Sequence, residues 1–402
     1  MKVLLVDVNC KNSSTGKIVY DLYTGLNKRG IEAAVCYGRG PLIKEKNIFK
    51  FGIDLETYFH ALMTRITGLT GFFSFFSTYR LIKFMKKFDP DVVHLHELHA
   101  YFVNYGTVIK YLKKNNIKTV WTFHCEFMYT GKCGYAYECD KWQTECNQCP
   151  QLRNYPKSLF FDFTKEMYSY KKSLMQDFDN LVIVTPSEWL ANRVKSSFLH
   201  KLIIKVIHNG IDTENIFYPR DTDVLRKKIG IRDEKIVLAV APDIMSCRKG
   251  GTYVLQLAKR FNDGKVKFVM VGMTDEDLHE TYPNNVIPVG LVKDQYELAT
   301  LYSLANVFVI CSEKENYPTV CLEAQACGAV ICGFDVGGTK ETAPLYYENF
   351  VKFGEIDALE IKVKSALYTI TTATSYLNTS DFSIFKMVSD YLELYKIINE
   401  NK

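Results

Sequence analysis

The sequence predicts an α/β chain of two Rossmann-like, doubly wound domains. Three observations predict it: the length, an alternation of short β-branched runs with longer amphipathic stretches, and a restart of that alternation after Pro219. A chain of 402 residues with 47% hydrophobic content exceeds the roughly 250–300 residues at which single cores stop growing. Val- and Ile-rich runs at 2–8, 91–95, 118–123, 180–185 and 205–207 alternate with amphipathic stretches such as 17–29 and 103–114. That order is expected of a parallel sheet with crossover helices on both faces. Further runs at 235–241, 265–271, 285–289, 307–311 and 330–333 repeat it. The expected division is a first domain over 1–217, a second over 218–376 and a closing helix within 377–402. In that tail Phe382, Phe385, Val388, Leu392 and Tyr395 are spaced for one helical face, which could return to the first domain.

Composition narrows the function. The 50 basic and 45 acidic side chains leave a net charge of +5, too mild for a nucleic-acid scaffold, so no nucleic-acid partner is expected. The opening apolar run meets Asp7 too early for a signal peptide. No later run reaches the ~18 apolar residues of a membrane span. The expected location is therefore cytoplasmic, and the 12 cysteines should be thiols or metal ligands.

The most informative segment runs from Glu315 through Pro318 to Glu323 and Ala324, then Cys327-Gly328, then Gly337-Gly338-Thr339-Lys340-Glu341. A strand delivers Glu315 into a loop, a helix carries Glu323, and a second strand ends at the glycine pair. An ionised carboxylate accepts hydrogen bonds through two oxygens, so one can hold hexose hydroxyls while the other holds a ribose diol. The helix N-terminus beside them offers N–H groups and positive dipole to a diphosphate. Arg248-Lys249-Gly250-Gly251 follows the first strand of the second half and opens a helix. Its two cations can neutralise a departing diphosphate without a metal ion. An exposed basic helix start is the ordinary alternative.

The Glu-x7-Glu segment and the following Gly-Gly-x-x-Glu resemble the signature of the family-4 retaining glycosyltransferases of the GT-B fold, in which two Rossmann-like domains face across a cleft. The resemblance extends over most of the chain. It implies that Glu323 holds the ribose, Glu315 contacts the transferred sugar, and Gly338 and Thr339 offer backbone groups to sugar or phosphates. Lys249, Arg248 and Gly16, in Ser13-Ser14-Thr15-Gly16-Lys17, complete the expected donor site. Members of the family usually carry an arginine several residues before the lysine, where this chain has Asp243 and Ile244, so Lys249 is the firmer assignment of the pair. In related enzymes a histidine at the position of His124, in Trp121-Thr122-Phe123-His124, faces the transferred sugar. His94, His96, Glu97 and His99 in the preceding His-Leu-His-Glu-Leu-His run are expected on the acceptor side. The family usually has an acidic residue after this histidine; Cys125 stands there and Glu126 follows.

The implied activity is retaining transfer of a hexose from a nucleoside-diphosphate sugar to a saccharide acceptor, lipid-linked, in exopolysaccharide, capsule or O-antigen biosynthesis. Catalysis is expected to need no cofactor, with His124, Glu315 and Lys249 at its centre. The competing readings are a nucleotide-sugar epimerase or phosphorylase of the same fold, and a zinc-stabilised nucleic-acid-binding protein. Within a cysteine loop spanning 125–155, Cys133, Cys139, Cys146 and Cys149 could form a tetrahedral thiolate site with structural zinc, or remain four thiols or a reversible disulfide. Similar cysteine-bearing loops occur in transferases for colanic acid and other exopolysaccharides. From Tyr58 to Phe88 the chain has Arg65, Arg80, Lys83, Lys86 and Lys87 among many aromatic rings and no acid. That mixture suits a helix lying on an anionic surface, the inner face of the cell membrane.

Overall fold

The computed structural model describes residues 1–368 and 378–400. The expected boundary at 376/377 lies outside the described residues. Contacts divide the chain into two compact units, one of residues 1–208 and 387–402 and one of residues 209–386, whereas the sequence reading placed the first division at 217/218.

The first unit holds strands β1 (Lys2–Asp7), β2 (Glu32–Tyr37), β3 (Ile48–Lys50), β4 (Val92–Leu95), β5 (Lys118–Thr122), β6 (Leu181–Thr185) and β7 (Ile203–Val206). Their order is β3-β2-β1-β4-β5-β6-β7, with every pair parallel. The helices are α1 (Ser14–Lys28), α2 (Asp54–Thr67), α3 (Phe75–Phe88), α4 (Tyr105–Lys114), α5 (Thr164–Met175) and α6 (Glu188–Lys195). The apolar runs become strands buried on both faces because helices cover the sheet: β1 reads KVLLVD with Val3 to Val6 at 0% exposure. Side-chain caps start several helices. Ser13 accepts the Gly16 N–H at α1, and Asn104 accepts the Thr107 N–H at α4. Glu56 on α2 accepts the N–H groups of Phe76 and Ser77, both at 2.8 Å, at the start of α3.

In the second unit α7 (Asp223–Lys228), α8 (Gly251–Ala258), α9 (Asp275–Leu278), α10 (Gln295–Leu304), α11 (Thr319–Ala326) and α12 (Ile356–Tyr368) alternate with β8 (Lys235–Val240), β9 (Val266–Met273), β10 (Val286–Gly290), β11 (Val307–Ile310), β12 (Val330–Asp335) and β13 (Phe350–Lys352). This sheet is also parallel, in the order β10-β9-β8-β11-β12-β13. Both orders reverse direction between two adjacent strands, β1/β4 in one unit and β8/β11 in the other. Open α/β sheets receive ligands beyond the strand carboxyl ends at such reversals.

The last helix, α13 (Ile384–Glu400), closes on the first unit. A Cβ on Gly25 of α1 would sit 2.6 Å from the Val388 side chain, so the glycine admits the helix. Tyr395 Oη lies 2.6 Å from His94 Nδ1, and Tyr391 Oη lies 2.8 Å from Thr122 Oγ1. The buried face is Met387, Val388, Tyr391, Leu394 and Tyr395, which shares Val388 and Tyr395 with the stripe expected from the sequence and is otherwise rotated from it. The helix begins at Ile384, so Phe382 falls in a preceding turn, and Phe385 lies around the cylinder at 68% exposure.

Candidate functional site

In the second unit the loops after β8 and β11 are fastened together by their backbones. Gly250 has φ +73°, and a Cβ there would lie 2.0 Å from the Cys311 carbonyl oxygen. The Glu313 N–H donates to the Arg248 carbonyl at 2.9 Å. This close approach delivers Lys249 to Glu315: Nζ donates to Oε1 at 2.6 Å, with both side chains largely buried, while the Arg248 guanidinium stands 3.9 Å from the same oxygen. Arg248 is more exposed than Lys249. Asp243 adopts φ +51° and Ile244 is buried, and neither side chain is a cation.

Glu323 lies on α11, which begins after Pro318 with no side-chain cap. Its Oε2 accepts the Tyr302 hydroxyl at 3.0 Å. Burial, then the adjacent Glu323 carboxylate, hold the Tyr302 phenol well above its usual range, so it remains a donor. Tyr302 had no signal in the sequence: it is 21 residues away and reads as one more core aromatic of α10. The glycine-pair loop packs on the Glu315 backbone, because Gly337 has φ +58° and a Cβ there would sit 1.8 Å from the Glu315 carbonyl oxygen. Thr339 is buried, and its Oγ1 donates to the Val336 carbonyl at 2.5 Å. Gly338 leads into this turn and accepts the Glu341 N–H through its carbonyl at 3.2 Å. Lys249, Arg248, Glu315 and the loop of Gly338 and Thr339 thus gather at the β8/β11 end of the sheet, with Glu323 one helix turn further on.

The first unit gathers a second set at the carboxyl ends of β1, β4 and β5. Asp7 Oδ1 accepts the Glu97 N–H at 3.0 Å. Burial, then Glu97, push the Asp7 carboxyl up to about 7. His96 and His124 stack at 5.4 Å between ring centroids, with His96 Nδ1 3.1 Å from His124 Nε2. Burial keeps both imidazoles below their usual range, although Glu97 opposes this at His124. Glu97 forms an ion pair with His99 and accepts the Cys125 thiol at 3.4 Å. Burial alone would raise the Glu97 carboxyl, but His99 and then His124 and Cys125 outweigh it and bring it to about 2. Gly16 sits one turn into α1, where a Cβ would meet the Asn9 backbone at 3.1 Å.

One expectation changes here, and one open position is resolved. His94, placed on the acceptor side from its run, is fully buried between Tyr395 and Thr122 and serves as a structural pin. Glu126 does not stand in for the acidic residue missing after His124: it is buried against Arg193 at 2.6 Å, the Tyr129 hydroxyl at 2.8 Å and the Ala136 N–H at 2.7 Å. Glu97 is the carboxylate whose charge acts on His124.

The cysteine loop has more to fold around than its few aliphatic residues suggest. Trp142 is buried against Tyr129 and lies under the Arg193 guanidinium. Lys132 Nζ donates to the carbonyls of Gln151, Leu152 and Asn154 at 2.9–3.0 Å. Lys171 Nζ donates to Phe127 and Thr130 at 2.6 and 3.0 Å, and burial lowers its ammonium to about 7. Cys133, Cys139, Cys146 and Cys149 line one cavity. Cys133 and Cys149 are hydrogen-bonded neighbours, and Cys146 Sγ accepts the Gly131 N–H at 3.2 Å. Among the described residues, the set of three ligand atoms lying within 4.8 Å of one another is Glu97, His99 and Cys125, not three of these thiols.

On α2 and α3 the rings of Tyr58, Phe75, Phe76 and Tyr79 are between 62% and 72% exposed, so they are not core. Among the described residues no helix is long and apolar enough to cross a membrane.

Comparison with known proteins places this geometry in a family. Residues 15–215 match the model of Glycosyltransferase Family 4, and residues 221–369 match that of Glycosyl transferases group 1. A protein of Escherichia coli (strain K12) named for a colanic acid biosynthesis glycosyl transferase, WcaC, is 22% identical over 98% of this chain and 100% of its own length. A D-inositol 3-phosphate glycosyltransferase of Kribbella flavida is 28% identical over 34% of this chain and 35% of its own. The fold matches sucrose-phosphate synthase from Thermosynechococcus elongatus, with TM-score 0.71, 16% identity and 99% of each chain covered. It also matches Anabaena HepE in complex with UDP, with TM-score 0.66, 14% identity, and 99% of this chain and 100% of that chain covered. With two parallel Rossmann-like sheets and both halves matched, the chain belongs to glycosyltransferase family 4 and is a glycosyltransferase of the GT-B fold.

Proposed function

We propose that this glycosyltransferase moves a hexose from a nucleoside-diphosphate sugar to a lipid-linked saccharide acceptor with retention of configuration, in the assembly of an exopolysaccharide, capsule or O-antigen. The observation that carries the reading is the buried contact of Lys249 with Glu315 at the β8/β11 reversal, beside a glycine loop pressed on the Glu315 backbone. In this reading Lys249 and Arg248 steady the diphosphate, and Glu315 accepts hydrogen bonds from the sugar. Glu323, oriented by Tyr302, takes the ribose diol, and Gly338 and Thr339 border the sugar and phosphates. Gly16 lets the α1 turn come near the donor. His124 faces the transferred sugar, with His96, Glu97 and His99 on the acceptor side.

Transfer then proceeds through an oxocarbenium-like state. The departing phosphate, stabilised by Lys249, takes the acceptor's proton on the face it leaves, and no metal ion is required. The test is analysis of the product anomer with EDTA present. Retention with undiminished turnover is expected; inversion, or a loss restored by magnesium or manganese, contradicts the reading. A thermal-shift screen of UDP, GDP and ADP sugars identifies the donor by the largest stabilisation.

Two partners belong to the same reading. The exposed rings of α2 and α3, with Lys83, Lys86 and Lys87 nearby, are suited to an anionic membrane face where lipid-linked acceptors reside. Pelleting with anionic but not neutral vesicles at low salt is expected, and absence of lipid-dependent binding refutes it. Cys133, Cys139, Cys146 and Cys149, all thiols on one cavity, are a donor set suited to structural zinc, which would tie the loop ends together. Elemental analysis of protein purified without chelator tests this, and less than half an equivalent retires it.

A further inference from the structure

We propose that Glu97, His99 and Cys125 form a binding site for a zinc-class divalent ion, separate from Cys133, Cys139, Cys146 and Cys149. The three candidate ligand atoms lie within 4.8 Å of one another. They come from two adjacent loops at the carboxyl ends of β4 and β5, strands paired in register at Leu95 and Trp121. Glu97 and His99 follow β4 and form an ion pair with each other, and Cys125 reaches Glu97 from the loop after β5, its thiol 3.4 Å from Oε2.

The site is held before any ion arrives. The Glu97 N–H is tied to Asp7 Oδ1 at 3.0 Å, and the His96 carbonyl accepts the Trp121 indole N–H at 2.8 Å. The second ring nitrogen of His99, Nδ1, lies 3.3 Å from the Tyr155 hydroxyl. An outer partner of that kind fixes ring orientation in metal-ligating histidines. The adjacent His96 keeps Nε2 buried without a hydrogen-bond partner, so this pocket holds more ligating capacity than its internal bonds use.

The donor set selects the ion. One thiolate, one imidazole and one carboxylate suit a borderline-soft cation, whereas magnesium and calcium favour all-oxygen shells. Three protein ligands leave the fourth tetrahedral position to water. On binding, the ion replaces the thiol proton of Cys125 and the proton shared by Glu97 and His99, and both pass to solvent.

The probe is cobalt(II), added to reduced, metal-free protein and followed by its thiolate charge-transfer absorption, with zinc then added to displace it. Wild type should show a saturable thiolate band at this site that persists in Cys139→Ser/Cys146→Ser. Added to that double-serine background, Cys125→Ser should lose the band, and His99→Gln should lose binding. Cys125→Asp should keep calorimetric binding without the band, which separates ligand exchange from misfolding. Tyr155→Phe should weaken binding by about 10–100-fold. A band unchanged in Cys125→Ser and His99→Gln, or one abolished entirely by Cys139→Ser/Cys146→Ser in protein with native circular dichroism, overturns the proposal.

Discussion

Replacing Gly337 with alanine should disable transfer through a residue that contributes no side chain. Two costs are readable at this position. The residue has φ +58°, where an L-residue is strained by about 1–2 kcal/mol. The added Cβ would also lie 1.8 Å from the Glu315 carbonyl oxygen, well inside contact distance, so backbone must move by more than about 1 Å to relieve it. What moves is the segment that presents Glu315 to Lys249. A misplacement of about 1 Å near a reacting centre can cost about 100-fold in rate, so kcat/KM should fall by roughly that factor. Gly230→Ala is the control: its φ is +73°, yet nothing lies within 4 Å of the added methyl. It should show the strain alone, seen by calorimetry as about 2–4 °C per kcal/mol for a unit of this size, with transfer retained. If Gly337→Ala matches Gly230→Ala in both melting and turnover, the coupling between the glycine loop and Glu315 is refuted.

Other substitutions probe the first unit, which contains all three tryptophans, Trp121, Trp142 and Trp189, so that indole fluorescence reports on it. Tyr395→Phe leaves His94 Nδ1 buried without its partner and should cost about 1–3 kcal/mol in urea unfolding; an unchanged midpoint refutes the pinning of the last helix. Lys171→Met strips the Phe127 and Thr130 carbonyls of a buried donor and should cost about 2–4 kcal/mol; neutrality in the same assay contradicts its role in holding the cysteine loop. Asp7 titrates near 7 in the fold against 3.8 as the ordinary value, so its contribution favours the fold at low pH and is lost as pH rises through that window. Glu97 works oppositely, but below its ordinary value of 4.5. Asp7→Asn should therefore flatten the fall in stability between pH 5 and 7, a fall of at most about 3 kcal/mol, and an unaltered pH profile contradicts the assignment.

What the sequence made legible was local. Strands such as KVLLVD and the Glu315–Glu323 segment carry their signal within ten residues, and both stood out. β2 reads EAAVCY, and its paired alanines blur the β-branched pattern. β3 and β13 are three-residue edge strands with too little chain to show any period. The remaining omissions are long-range. Asp7 meets Glu97 across 90 residues, and His94 meets Tyr395 across 301; neither partner marks the other in the chain. Phe385 shows the limit of spacing as evidence, because apolar residues at helical spacing mark a stripe without saying which side of it packs on the protein. Glu126 shows the same for charge, since only its contacts with Arg193, Tyr129 and Ala136 reveal that its carboxylate is committed to the loop.

The central claim is that carboxylates at the β8/β11 end hold the donor's hydroxyls while Lys249 steadies its phosphates. Equilibrium binding and transfer of the donor sugar nucleotide by Glu315→Gln/Glu323→Gln test it most directly. Charge-assisted hydrogen bonds contribute about 1.5–3 kcal/mol each, so at least about tenfold weaker binding and near-complete loss of transfer are expected, in protein with native circular dichroism at the assay temperature. Donor affinity and sugar transfer at wild-type levels in that variant would contradict it.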